Sequence, residues 1–223
     1  MPPSSGSPVR YRVVAAPLTE DTFATGIRGL VERDSRLAAA VARWGDPPFW
    51  THEPGFPGLV LEILSQQVSL ASADAAYAKL AQHIGAILPE DFLTLDDATL
   101  KAIGFSRQKA GYVRGLARAI ADGELDLAAI GQMDDAAVRA ALLPIKGIGP
   151  WTVDCYLLFA LRRPDVWPTG DLALVKAMQE VLGLAEVPSY PEADVIAEAW
   201  HPWRAVAARI LWHAYLSARG RKA

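Results

Sequence analysis

The sequence predicts an all-α fold, and three observations predict it. Apolar residues recur at three- and four-residue intervals along most of the chain, the spacing that gathers them on one face of a helix. Ser, Thr or Asp precedes many of these stretches and Gly or Pro follows them, which are start and stop signals for helices. No stretch alternates strictly as a half-buried strand does, so about ten helices joined by short turns are expected.

From Thr19 the pattern is helical, with Thr19 or Asp21 as N-cap and Phe23, Ile27, Leu30 and Val31 on one face. A second helix begins at Asp34 or Ser35, carries Leu37, Val41 and Trp44, and stops at Gly45 and the two prolines behind it. Residues 47–58, PPFWTHEPGFPG, form an extended connection and a lobe boundary. Leu59 to Gly85 suits one long buried helix or a broken pair, with Gly85 as the stop. Thr94 to Gly104 is a short capped helix, Ser106 to Asp122 a basic-faced one, and Asp134 or Asp135 caps a third that ends near Leu142. Residues 185–192 form a proline-marked loop, and Asp194 to Leu216 is helical around HPWR.

Composition narrows the function. The chain has 223 residues, enough for one large core or two fused lobes. Its one cysteine, Cys155, excludes an internal disulfide, a four-cysteine zinc site and a cysteine-held iron–sulfur cluster. The Pro/Ser/Gly-rich residues 1–10 are expected to be a disordered tail, not a secretory signal, and no apolar run has membrane-spanning length. A cytoplasmic, soluble monomer is expected. Net charge is −3, so any affinity for nucleic acid must come from a local surface.

The most informative stretch is Leu142 to Lys176. In PIKGIGP, two glycines flank Ile148 between two helices, and Gly149 places bare amides before Pro150, a good first helical residue. Such amides suit a phosphate oxygen, although an ordinary helix–helix turn has the same composition. Asp171 follows 22 residues after Gly149 and precedes LALVKAM, where it is at least a helix N-cap.

Taken together, LPIKGIGPWTVDCYLLFA, WPTGDLALVK, EPGFPGLVLEILSQQVSLASA and HPWRAVAARILWHAYL resemble the helix-hairpin-helix DNA glycosylase superfamily. The tryptophan after the hairpin is similar to the bacterial 3-methyladenine DNA glycosylase II family. The resemblance covers about residues 47–217. It implies a two-lobed enzyme with its active site in the cleft between the lobes: a middle bundle of about residues 57–165, and a second lobe from about 11–56 plus 166–223. Those family members carry a larger N-terminal β domain, which is reduced here at most to a strand-like piece near Tyr11 to Val14.

The resemblance makes Asp171 the catalytic carboxylate, facing the oxocarbenium-like sugar that forms as an N-glycosidic bond breaks. Where lyase members carry a Schiff-base lysine this chain has Trp151, so water is the expected attacking species and the product an abasic site in an intact strand. Trp151 and Trp212 are the implied pocket tryptophans, whose indole faces attract a cationic alkylated purine such as 3-methyladenine or 7-methylguanine. Cys155 and Leu172 stand where tyrosines are expected, giving a wider, less aromatic pocket, and Tyr156 compensates only if its helix rotates.

Gln67, in LSQQVS, occupies the position of the wedge that fills the gap left by a flipped nucleotide. The amides around Gly147, Ile148 and Gly149 are expected to hold phosphate, with Lys146, Arg107 and Lys109 nearby. The carbonyls of Leu143, Ile145 and Ile148 are the implied seat of a monovalent Na+ or K+ ion. No catalytic metal or organic cofactor is expected, since His52, His83, His201 and His213 lack zinc-site spacing. The expected partner is duplex DNA with damaged bases. The competing readings are a noncatalytic module for damaged DNA and a glycosylase for oxidised or deaminated purines.

Overall fold

The computed structural model describes residues 16–220, and the expectations for residues 1–10 and for Tyr11 to Val14 lie outside them. Among the described residues there are thirteen α-helices and no strand. The first nine are α1 (Glu20–Arg33), α2 (Ser35–Trp44), α3 (Phe56–Ser65), α4 (Leu70–Ile84), α5 (Pro89–Leu93), α6 (Asp97–Ile103), α7 (Arg107–Ala121), α8 (Leu127–Ile130) and α9 (Asp135–Leu142). After the hairpin come α10 (Pro150–Cys155), a π-helix (Tyr156–Ala160), α11 (Leu172–Leu182), α12 (Tyr190–Ala197), a 3-10 turn (Glu198–Trp200) and α13 (Arg204–Ser217). The count exceeds the expected ten because α5 and α8 have only five and four residues, too short to show a helical period.

Side-chain caps set most of the starts. Thr19 opens α1 in a reciprocal capping box with Thr22, and Asp34, Ser69, Asp96, Ser106, Asp126, Asp134 and Asp171 each accept backbone N–H groups at the next helix. These acceptors satisfy the amides that the first turn leaves without partners. One expectation fails here. Residues 185–192 are not all loop, because Ser189 forms a capping box with Glu192, and Tyr190 and Pro191 already lie in the first turn of α12, where proline is tolerated.

The apolar side chains form two cores. One gathers Phe56, Leu59, Ile63, Leu80, Phe92, Val113, Leu116, Leu142, Val153 and Leu157 from α3 to the π-helix. The other gathers Leu18, Leu30, Leu37, Leu158, Met178, Trp200, Val206 and Leu211 from α1, α2 and the C-terminal helices. Leu157 and Leu158 are adjacent yet belong to different cores, both fully buried. The π-helix is therefore the seam between the two halves. Leu158 and Phe159 lie in its last turn, where carbonyls have no intrahelical partner, and the chain uses them: Phe159 O accepts from His52 N at 3.1 Å and Leu158 O from Arg209 Nη2 at 2.9 Å.

Arg209 is fully buried on α13 and binds three carbonyls, those of Ala205, Trp50 and Leu158, while its guanidinium lies 5.3–5.7 Å from the ring centroids of Phe23, Phe49 and Phe159. Burial pulls its pKa down to about 9. Carbonyl and ring faces here replace a carboxylate partner.

A Cβ at Gly58 falls 2.3 Å from the Glu53 carbonyl oxygen, whereas one at Gly115 meets nothing within 4 Å. Urea unfolding should show Gly58→Ala destabilised by about 1–3 kcal/mol and Gly115→Ala unchanged or stabilised by up to about 1 kcal/mol. Equal midpoints for the two would contradict the close contact at Gly58.

Asp34 caps α2 and also accepts from Trp200 Nε1 at 3.1 Å. Burial raises its pKa, but hydrogen bonds from Arg36 and Trp200 outweigh burial and hold it at about 2, below the ordinary 3.8. A depressed folded pKa gives stability that is present above pH 4 and lost as pH falls toward 2, about 2 kcal/mol in all. Wild type should thus lose its advantage over Asp34→Asn across that window; an advantage independent of pH means that the carboxylate charge is not what stabilises.

Candidate active site

Asp171 is the N-cap of α11, and its carboxylate is met by three N–H donors. Leu174 N donates to Oδ1 at 2.8 Å, Trp212 Nε1 to Oδ1 at 3.2 Å, and Trp151 Nε1 to Oδ2 at 2.9 Å. Trp151 stands on the first turn of α10, directly after the hairpin, and Trp212 on α13. A carboxylate oxygen has room for two donors, so Oδ1 is filled and Oδ2 keeps one lone pair. Asp171 and both tryptophans are part-exposed.

Trp212 continues into a ring column. Phe159 stacks on it at 5.4 Å and 20°, and His52 stacks on Phe159 at 4.7 Å and 29°. His52 Nδ1 lies 2.7 Å from Oε1 of Glu62, a side chain on α3 that is 2% exposed. Burial raises the Glu62 pKa and the His52 contact lowers it, with burial prevailing.

The remaining expected pocket residues divide. Leu172 is 56% exposed next to Asp171. Cys155 and Tyr156 are each 1% exposed, and the Tyr156 hydroxyl accepts Gly55 N–H at 2.9 Å. The structure therefore does not bring these two to the surface with Trp151; the switch to π-helix after Cys155 directs Tyr156 into the first core and leaves Phe159 to meet Trp212.

At the hairpin, Gly147 has φ +93° and rests on the Tyr112 ring, where a Cβ would fall 2.2 Å from Cγ. Only glycine allows that approach. Ile148 is buried in the first core, Gly149 caps α10, and Lys146 is exposed. The Ile145 carbonyl accepts Ile148 N–H at 3.0 Å, which leaves it one lone pair for a cation.

Gln67 is exposed at the turn between α3 and α4 with φ +55°, and Arg107 is exposed at the start of α7. Lys109 differs from expectation. Its Nζ donates to Leu64 O at 2.6 Å and Gln66 O at 2.8 Å, so two of its three donors are committed inside the protein, and burial lowers its pKa.

Several residues of the site escape sequence reasoning. Gln66 donates through Nε2 to Gly147 O at 2.8 Å and Thr152 Oγ1 at 3.0 Å. Asp154, buried on α10, pairs with Arg139 of α9 and accepts Thr169 N–H at 3.4 Å, tying the hairpin to the loop before Asp171. Asp154, Arg139 and Thr169 border a cavity of about 380 Å³ lined also by Pro150, Asp165, Asp194 and Arg204; it lies beside Asp154, not at Asp171, and Asp165 is itself paired with Arg204 at 2.8 Å. Among the described residues no group of three or more His, Cys, Asp or Glu side chains is arranged to hold a metal ion, and no helix is long and apolar enough to cross a membrane.

Residues 60–204 match the family model described as HhH-GPD superfamily base excision DNA repair protein, and the chain belongs to that family. It is 35% identical over 124 residues to a putative DNA-3-methyladenine glycosylase of Bacillus subtilis, covering 56% of this chain and 43% of that protein. The chain thus spans less than half the length of that relative. It is 28% identical over 187 residues to an alkylbase DNA glycosidase-like protein of Schizosaccharomyces pombe, covering 80% of this chain and 87% of the other. The crystal structure of a DNA-3-methyladenine glycosidase from Bacillus halodurans superposes with TM-score 0.72 at 29% identity, over 87% of this chain and 91% of that one.

Cys155 offers a simple check of the buried face of this site. Burial pushes its thiol pKa well up, with Glu62, Asp171 and Asp154 adding to the shift. A thiol reagent should label native protein at least about 100-fold more slowly than urea-unfolded protein; comparable rates would place Cys155 on an open surface.

Proposed function

We propose that the chain is a monofunctional DNA glycosylase that extrudes an alkylated purine of the 3-methyladenine or 7-methylguanine type from duplex DNA and hydrolyses its N-glycosidic bond. The observation that supports this most is the Asp171 carboxylate held by Trp151 and Trp212, with one Oδ2 lone pair left over. The names of the relatives agree with it.

In this reading the C1′–N bond breaks with its electron pair leaving on the base, and Oδ2 of Asp171 faces the positive charge that develops on the sugar. The cationic alkylated base leaves neutral with that pair, and water adds to C1′ and releases its proton to solvent, leaving an abasic site. Trp151 at the first turn of α10 offers no amine for a Schiff base, hence no strand cleavage. Trp212, backed by Phe159 and His52, supplies the aromatic wall. Leu172, exposed beside Asp171, borders the base, while Cys155 and Tyr156 are buried and do not line it.

The DNA surface comprises the amides of Gly147 to Gly149 for phosphate, Lys146 and Arg107 around them, and Gln67 as the wedge. Leu143, Ile145 and Ile148 carbonyls are the proposed seat of a monovalent cation that neutralises phosphate there. The proposed lobes are about 57–165 and the rest, a division that the two cores support, with Leu158 and Val166 crossing it. The protein acts as a monomer on DNA in the cytoplasm or nucleoid.

Asp171→Asn keeps an acceptor for the cap but removes the negative charge. Base release from methylated duplex DNA should fall at least about 100-fold, while gel-shift affinity stays within about threefold of wild type. Undiminished release by Asp171→Asn would sink the assignment. Release of oxidised or deaminated bases in place of alkylated ones would keep the enzyme and change its substrate.

A further inference from the structure

Gln67 is presented by a turn that is held from two sides. α3 ends at Ser65, Gln66 is its C-cap, and Ser69 caps α4, so only Gln66 to Ser69 separate the two helices. Gln67 lies at φ +55°, a conformation that side-chain-bearing residues seldom adopt, and it is solvent-exposed together with Val68 and Leu70. Such a turn keeps its shape only where its surroundings determine it.

Two side chains do so. Lys109 reaches from the first turn of α7 and binds the carbonyls of Leu64, in the last turn of α3, and of its C-cap Gln66. Gln66 reaches the other way, its amide donating to Gly147 O in the hairpin and to Thr152 Oγ1 next to Trp151. Gly147 in turn rests on the ring of Tyr112, three residues beyond Lys109 on α7. The contacts close a circuit from Lys109 to Gln66 to Gly147 to Tyr112.

Resting on the glycosylase reading, we infer that Gln66 and Lys109 are positioning residues that hold the Gln67 turn rigidly against the phosphate-gripping hairpin, so that binding phosphate and filling the vacated stack happen as one movement. Lys109 then serves DNA from behind the surface, without touching phosphate. The circuit matters only where a paired base has to be displaced, because a lesion with no opposing base leaves the wedge nothing to separate.

The test uses Gln66→Met, Lys109→Met and Lys109→Arg with two duplexes that differ only opposite the methylated base, one carrying the normal partner and one an abasic site. Single-turnover base release by Gln66→Met and Lys109→Met should slow about tenfold on the paired lesion and stay within about twofold of wild type on the unpaired one. Lys109→Arg, which keeps a donor for the carbonyls, should restore most of the paired rate. Equal losses on both duplexes, or none on either, overturn the inference. Should wild type release no base at all, the glycosylase reading falls, and 2-aminopurine placed beside the lesion decides this one: wild type should brighten it on binding and the two Met variants should bind without brightening it. Equal brightening, or none with wild type, overturns the inference.

Discussion

The carboxylate of Asp171 is the point on which the site depends, because three separate parts of the chain converge on its two oxygens. Its own helix supplies the Leu174 amide, the helix after the hairpin supplies the Trp151 indole, and the C-terminal helix supplies the Trp212 indole. An acceptor-only group among donors orients the rings as they orient it, since each indole has a single N–H and places it on this carboxylate. The aromatic walls are therefore oriented by the same group that is proposed to meet the sugar, and a ring cannot rotate without freeing a lone pair on the carboxylate.

That convergence works only because the two cores are stitched along one segment. The π-helix contributes Leu157 to one core and Leu158 to the other, while Phe159 carries the ring column and its carbonyl anchors His52. Arg209 binds the Leu158 and Trp50 carbonyls and lies over Phe159. A guanidinium suits this place because its planar fork reaches several carbonyls at once and its weakly hydrated face tolerates aromatic rings. The connection of residues 45–55, shorter than the expected 47–58 at its end because α3 already starts at Phe56, is thereby held at Trp50, His52 and Gly55, each by a partner on the π-helix or on α13.

Much of this was legible in the sequence where one local rule decides. Thr19, Asp34, Asp134 and Asp171 cap helices as their spacing predicts, and the glycine hairpin lies between α9 and α10. Other features depend on groups far apart in sequence. The break between α3 and α4 falls at Gln66 to Ser69 without a glycine or proline, held by Lys109 more than forty residues away. The π-helix cannot be told from the α-helical period of WTVDCYLLFALRR, so the orientation of Tyr156 and Phe159 was illegible. Lys109 has the composition of a surface cation, and only its distance to two carbonyls reveals an inward one.

Charge completes the picture. The chain is acidic overall, and many of its arginines are already engaged: Arg36 with Asp34, Arg114 with Asp97, Arg139 with Asp154, Arg204 with Asp165 and Arg219 with Glu180. Lys109 is turned inward as well. Lys146 and Arg107 are exposed, but the proposed phosphate grip falls mainly to backbone amides, whose direction is set by geometry. This makes the contact of Gly147 with Tyr112 more consequential than a charge at the same place. A lysine added nearby raises attraction to any polyanion, whereas the proposed grip of the hairpin amides depends on the ring beneath Gly147 that shapes the turn, the same turn that Gln66 fastens to the proposed wedge at Gln67.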